Sequence, residues 1–259
     1  MQAVLSKYYG FADDGFRLLL DADATLANMR AGLDWLAEGG ADADAVRVFH
    51  YSGHGYFVPD QNGDEPDGRD EVLVPVDHDS AGFLSDDVLK KHYDAFPRGG
   101  NLTLIMDSCH SGTVQRDVSD VLYRFIPATR AHIEACDAAR DAFARAQEDH
   151  VVAGLDKLRE SGALPQGDAL RETVRDLMKG FVKARFGDVR VRENNVLISG
   201  CRSDQQSADA YIAGDYHGAL TYHLVDSIEK ANGAISYRDM IAQTADKLQQ
   251  GGYSQVPQL

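Results

Sequence analysis

Two residues, a cysteine and a histidine at the ends of two apolar runs, have the type and surroundings to do chemistry. Leu102, Thr103, Leu104, Ile105 and Met106 form a run of strand length that stops at Asp107-Ser108-Cys109-His110-Ser111-Gly112. Val46 to Tyr51 does the same, ending in Ser52-Gly53-His54-Gly55. A buried strand that ends in a small polar turn delivers its last side chains to the C-terminal edge of a sheet, where open α/β sheets take their ligands. Two neighbouring parallel strands of this kind would bring the Cys109 thiol and the His54 imidazole to one edge, as a cysteine nucleophile needs. A free cysteine is more often a small core hydrophobe. The polar, glycine-terminated turn around Cys109 argues against that here. His54 is uncrowded between two glycines, whereas His50 lies inside the strand and receives no role. Their four-residue spacing would suit a metal pair only on a helix, and this stretch is extended.

Strands and helices must hold these turns. Arg17 to Leu20 reads as a short strand ending at Asp21. Thr25 is a good N-cap, and Leu26, Met29, Leu33 and Leu36 fall on one face of a helix running to about Glu38, where Gly39-Gly40 stops it. With Val46 to Tyr51 this makes a β-α-β unit, whose right-handed crossover makes the strands parallel. An acidic loop, Asp60 to Glu71, precedes a short apolar piece, Val72 to Val76. Ser85-Asp86-Asp87 then opens a helix that ends before Pro97. From Thr129 to about Arg185 the spacing predicts helices, Ala131 to Leu158 and Leu170 to Phe186, broken by Gly162 to Gly167. Strand character returns at Asn195 to Ser199, followed by helices over Gly218 to Lys230 and Tyr237 to Gln249 and an extended Gln255 to Leu259.

Bulk properties narrow the function. A chain of 259 residues fits one large domain or two small ones. The net charge of -15 argues against a nucleic-acid surface or an anionic membrane. No window of about 18 apolar residues exists to span a bilayer, and the N-terminal stretch lacks the apolar core of a signal peptide. Cys109, Cys136 and Cys201 are widely separated, with neither disulfide nor metal spacing, which points to a reducing, cytoplasmic setting.

The blocks HYSGHG at 50–55 and DSCHSG at 107–112 resemble the two signature blocks of the metacaspases, caspase-like cysteine peptidases. LLLDADATLANM at 18–29, DEVLVPVD at 70–77, SDD at 85–87, LISGCRSDQQSADA at 197–210 and the closing QVPQL fit the same family. The resemblance implies a caspase-like α/β fold with a mostly parallel sheet and a helical insert. It implies one catalytic domain over 1–259, with 1–117 as the large-subunit-like part, 118–194 as insert or linker and 195–259 as the small-subunit-like part. Cys109 would attack the scissile carbonyl, His54 would serve as general acid and then base, and the N–H groups of Gly55 and Cys109 would form the oxyanion hole. Asp107 and Ser52 match positions of the family's acidic pocket for a substrate arginine or lysine. Asp107 read as a carboxylate that orients the turn is the alternative. Calcium activation is also implied, with Asp86, Asp87, Asp70 and Asp117 as matching ligands, although Asp86 and Asp87 could simply cap a helix. Basic residues near Lys179 to Arg192 are candidate self-cleavage sites, and a monomer is implied. The family's opening strand and glycine-cysteine-x-x-aspartate loop have no counterpart in this sequence, which bears on the specificity pocket. Two rivals stand beside this reading: a caspase-fold interaction module without turnover, and a peptidase specific for aspartate.

Overall fold

The computed structural model describes residues 1–38, 45–63, 65–96, 100–108, 122–124, 126–186, 195–202 and 205–259. Cys109, Asp117 and the processing stretch from 187 to 192 lie outside the described residues. In chain order the elements are α1 (Gln2–Tyr9), single 3-10 turns at Asp13–Gly15 and Asp21–Asp23, α2 (Leu26–Ala37), β1 (Val46–Ser52), β2 (Gly55–Pro59), β3 (Arg69–Leu73), α3 (His78–Ala81), β4 (Leu84–Ser85) and α4 (Asp86–Ala95). There follow β5 (Asn101–Asp107), β6 (Leu122–Tyr123), α5 (Arg130–Glu160), α6 (Asp168–Phe186), β7 (Asn195–Ser199), β8 (Ala208–Ile212), β9 (Asp215–Gly218), α7 (Ala219–Lys230) and α8 (Tyr237–Gln250). They divide into two compact units: Met1–Phe57, Glu71–Pro127 and Arg192–Leu259 in one, Val58–Asp70 and Ala128–Val191 in the other.

A parallel sheet of order β1-β5-β7 organises the first unit. The β-branched and aliphatic residues of β5 suit a strand covered on both faces, and their alternation decides which face each one packs. Ile105 joins Val4, Leu220, Leu224, Ile228, Met240 and Ile241 beneath α1, α7 and α8. Met106, the next residue, joins Leu26, Met29, Leu33 and Leu89 beneath α2 and α4. Successive side chains of a strand point to opposite faces, so one strand anchors both helix layers. The helix starts follow local chemistry: Thr25 Oγ1 accepts the Asn28 N–H at 3.2 Å, and Ser85 Oγ accepts the Val88 N–H at 3.4 Å.

The strand expected at Arg17 to Leu20 does not form. Those residues are extended but pair with no strand among the described residues, and they are flanked by the two 3-10 turns. Leu19 packs inward against the α2 side of the core, the Arg17 guanidinium lies 5.1 Å from the centre of the Trp35 ring, and Leu18 and Leu20 are exposed. Packing to α2 thus takes the place of ladder hydrogen bonds. A cavity of about 960 Å³ lies between this segment and β1 and reaches Ser52 and His54. Two further sheets have the orders β2-β3-β4 and β6-β8-β9, β8 and β9 forming an antiparallel hairpin.

The expected helical insert is present as α5 and α6, in the second unit. Phe143 and Phe181 meet edge to face at 5.5 Å, and Leu177 lies where a side chain at Gly154 would fall. Gly68, at φ 75° in the left-handed region that suits glycine, leaves no room for a Cβ against the α5 backbone at Cys136 and Arg140.

The C-terminal QVPQL segment returns to the parallel sheet. Gln258 exchanges backbone hydrogen bonds with Ser199 at 3.0 and 3.2 Å. Gln255, 3% exposed, accepts the Ala208 N–H at 2.8 Å and donates to the Gly200 carbonyl at 2.9 Å. Replacing it with alanine strips two buried backbone groups of their partner, each worth about 1–3 kcal/mol. Gln255→Ala is expected to lower the unfolding free energy by about 2 kcal/mol or more in urea titration; an unchanged midpoint would remove this role.

Candidate active site

The register of β1 against β5 sets the site. Tyr51 pairs with Met106 and Ser52 with Asp107, so the two strands end level at one edge. The turns bearing His54 and Ser108 therefore leave the sheet side by side. The His54 turn is braced from below: the Tyr51 hydroxyl donates to the His54 carbonyl at 2.6 Å, and the Val74 N–H donates to the same carbonyl at 3.1 Å. Burial pushes the Tyr51 phenol up to about 12, so it stays a donor. Gly53 has a packing reason besides access to the imidazole, since a Cβ there would stand 2.7 Å from the Tyr51 hydroxyl. His54 itself is exposed, while partial enclosure and then the Arg124 cation hold its pKa below the ordinary value.

Asp107 is fully buried and its carboxylate is completely engaged. Oδ1 accepts the Ser207 hydroxyl at 2.7 Å. Oδ2 accepts both the Thr221 N–H at 2.9 Å and the Thr221 hydroxyl at 2.7 Å. Thr221 stands in the first turn of α7, whose own N-cap residue, Gly218, has no side chain to do this. A carboxylate from β5 thus caps a helix remote in sequence, in the favourable field of its N-terminus. Gly218 must be glycine for this fit, because a Cβ there would collide with the Asp107 carboxylate.

His50 extends the same network. Thr221 gives its proton to the carboxylate and so accepts at its oxygen, which makes His50 Nε2–H the donor in their 3.0 Å contact. No role for this histidine is legible in the sequence, because a polar residue in an apolar strand does not name its partner. Cys201 was equally unassigned. Its buried thiol contacts the carbonyls of Gln205 at 3.4 Å and Ser108 at 3.9 Å, directly before Cys109.

Arg124, which no motif marked, is 8% exposed and sits among the predicted pocket residues. It donates to Ser52 Oγ at 2.6 Å, to the Asp107 carbonyl at 3.3 Å and to Asp209 Oδ1 at 2.9 Å. Its own carbonyl accepts the Gly55 N–H at 2.9 Å. Ser52, Gly55, the Asp107 backbone and Asp209 thereby meet at Arg124, whereas the Asp107 carboxylate faces Ser207 and Thr221.

The structure describes three of the four expected calcium ligands. Asp86 and Asp87 occupy the first turn of α4, Asp70 is a buried residue of β3 in the second unit, and Asp117 lies outside the described residues. Burial, and then the Asp87 and Glu71 carboxylates, raise the Asp86 carboxyl to about 6. Among the described residues no group of three or more His, Cys, Asp or Glu side chains forms a metal-holding set. The fit to calcium is incomplete, and no chemical step below runs through a cation. Among the described residues, too, no helix is long and apolar enough to cross a membrane.

An α/β unit with a parallel sheet flanked by helices, in which the His54 turn and Ser108 follow the level ends of neighbouring strands, is the framework of the caspase-like fold. Residues 1–117 match the family described as metacaspase, peptidase C14 domain. The chain is 34% identical over 269 residues to Metacaspase-1 of Cryptococcus neoformans var. neoformans serotype D, covering 100% of this chain and 56% of that protein. It is 32% identical over 277 residues to Metacaspase-1 of Ajellomyces capsulatus, covering 100% and 71%. Metacaspase-1A of Aspergillus niger is 31% identical over 275 residues, with 100% and 63% covered. A crystal structure of a Geobacter sulfurreducens protein superposes with a TM-score of 0.56 at 25% identity, covering 93% of this chain and 76% of that one. The chain belongs to the metacaspase family, whose members are cysteine peptidases. It spans a little over half the length of the first of these relatives, 56%.

The buried network has a pH signature. Burial holds the His50 imidazole down at about 4. Above pH ~6.5 the ring is neutral in both states and adds no pH dependence. As pH falls from ~6.5 to about 4, the unfolded chain takes up a proton that the folded one refuses, so stability falls by up to roughly 3 kcal/mol and then levels off. Asp86 works in the opposite sense, its folded form retaining a proton up to about 6. The test is therefore a difference: His50→Gln is expected to lose less stability than wild type between pH 7 and pH 4 in urea unfolding. Equal losses would detach His50 from this behaviour.

Proposed function

We propose that this protein is a cysteine endopeptidase that cleaves after arginine or lysine through Cys109 and His54, with calcium as activator. The observation that carries the reading is the level ending of β1 and β5, with Ser52 opposite Asp107. This register supports a shared cleft for the two catalytic side chains. A guanidinium seated on Ser52 and Asp209 within hydrogen-bond distance supports a basic substrate residue.

In this mechanism the Cys109 thiol passes its proton to His54, the resulting thiolate attacks the scissile carbonyl carbon, and the charge that develops on oxygen is met by the N–H groups of Gly55 and Cys109. His54 gives a proton to the leaving amine as the C–N bond breaks, which leaves an acyl-enzyme. It then takes a proton from water, whose oxygen attacks the thioester and releases the acid and the free thiol. A pKa held below the usual histidine value keeps His54 ready to serve as that base at neutral pH. Calcium belongs to this proposal as a regulator, on the strength of the paired Asp86 and Asp87. Self-processing belongs to it as well. Lys179 is within α6, so cutting there requires that helix to open.

The deciding assay uses fluorogenic peptides ending in arginine, lysine or aspartate, with and without calcium, on wild type and Cys109→Ala. Turnover of the basic peptides, higher with calcium and lost in Cys109→Ala, is the expected result. Equal signals from the two proteins would sink the enzyme reading in favour of the interaction module. Selective cleavage after aspartate would overturn the basic specificity. Mass spectrometry after calcium addition reads self-processing: an intact, fully active chain disposes of it.

A further inference from the structure

We infer that residues Leu122–Arg124 occupy the substrate's own place in the resting protein, with Arg124 standing in for the basic residue and Asp209 serving as the carboxylate that pairs it. This rests on the proposed specificity for basic residues and names the side chain that would supply it.

The backbone contacts come first. β6 lies antiparallel on β8, with Leu122 opposite Asp209 and Tyr123 opposite Ala208. The Arg124 N–H continues the ladder to the Ser207 carbonyl at 3.2 Å. An extended peptide laid on a strand edge makes these bonds whatever its sequence, which is how strand-binding sites gain affinity. The Arg124 carbonyl then accepts the Gly55 N–H at 2.9 Å. That N–H is the donor assigned above to the oxygen of a scissile carbonyl.

The side chain completes the likeness. The guanidinium reaches Ser52 Oγ at 2.6 Å, the Asp107 carbonyl at 3.3 Å and Asp209 Oδ1 at 2.9 Å. Asp107 cannot be the pairing carboxylate in this arrangement, since Ser207 and Thr221 engage both of its oxygens. Asp209 faces the cation instead, and its side chain is 26% exposed against 9% for Arg124. Arg124 Nε has no hydrogen-bond partner among the described residues. A planar guanidinium buried with one donor unmet is held less tightly than the pocket would allow, so an incoming arginine can compete for the place.

Self-occupation lowers apparent affinity by the fraction of time the cleft is open. The tests use the whole chain and peptides that differ only in the last residue: arginine, its neutral isostere citrulline, and aspartate. Arg124→Gln is expected to lower KM for the arginyl peptide by about tenfold with kcat changed by less than about twofold. Arg124→Gln with Asp209→Asn removes both charges and leaves neither unpaired. It is expected to erase most of the arginine-over-citrulline preference through KM. An unchanged or raised KM in the single variant, or a preference retained in the double variant, overturns the inference while wild-type cleavage after arginine leaves the proposed specificity standing. Wild type that cleaves only after aspartate, and loses this in Arg124→Gln, overturns both. A measurement on unmodified protein guards against misfolded variants: an arginyl aldehyde peptide should speed amide hydrogen exchange in Leu122–Arg124 by at least about tenfold, as displacement frees the strand. Binding without that change counts against the inference.

Discussion

The Asp107 carboxylate, shut away from water, is the constraint on which the site depends. A buried charge is tolerable only where donors surround it, and here they come from three parts of the chain: Ser207 ahead of β8, Thr221 in α7 and, through Thr221, His50 in β1. Satisfying one carboxylate therefore fixes the end of β5, the start of α7 and the approach to β8 relative to one another. Ser108 and the strand beside Arg124 follow directly from these elements, and the His50 contact ties in β1, which leads into the His54 turn. The last side chain of the central strand is thus a structural pin as well as a neighbour of the proposed chemistry.

A second layer of support acts on the backbone of the turns themselves. Tyr51 and Val74 hold the His54 carbonyl, Gly200 N–H reaches the Met106 carbonyl at 2.8 Å, and Gln255 ties Gly200 to Ala208. They explain why polar residues lie in motifs whose chemistry is usually credited to one cysteine and one histidine, and why glycine at 53 and 218 answers to crowding by Tyr51 and Asp107.

Periodicity and caps carried most of the first unit. The apolar runs marked β1 and β5, and Thr25 and Ser85 marked the helix starts, because these signals are local. Arg17 to Leu20 misled because a run of three leucines has strand composition whether or not a neighbour offers hydrogen bonds; contact with α2 decided the matter. The hairpin of β8 and β9 was hidden by its small and polar residues, Ala208, Asp209 and Ala210 among them. In the site, Ser52 and Gly55 could be read from their place in a motif. Arg124 and Asp209 could not, since the two meet only after the chain has passed through α5 and α6, and an isolated arginine in sequence does not reveal the carboxylate it will find.

Gly68 ties the two excursions of the chain together. The chain leaves the first unit after Phe57 and again after Pro127, and both departures build the second unit. The close seating of Gly68 on the α5 backbone means that neither excursion has an independent history. A shift in the pitch or phase of the long helix would strand the acidic loop, and lengthening that loop would lift it from its seat. Natural variants that trim or extend one should carry a matching change in the other, whereas β1 and β5, which lie in neither, are free to keep their alignment while such remodelling proceeds.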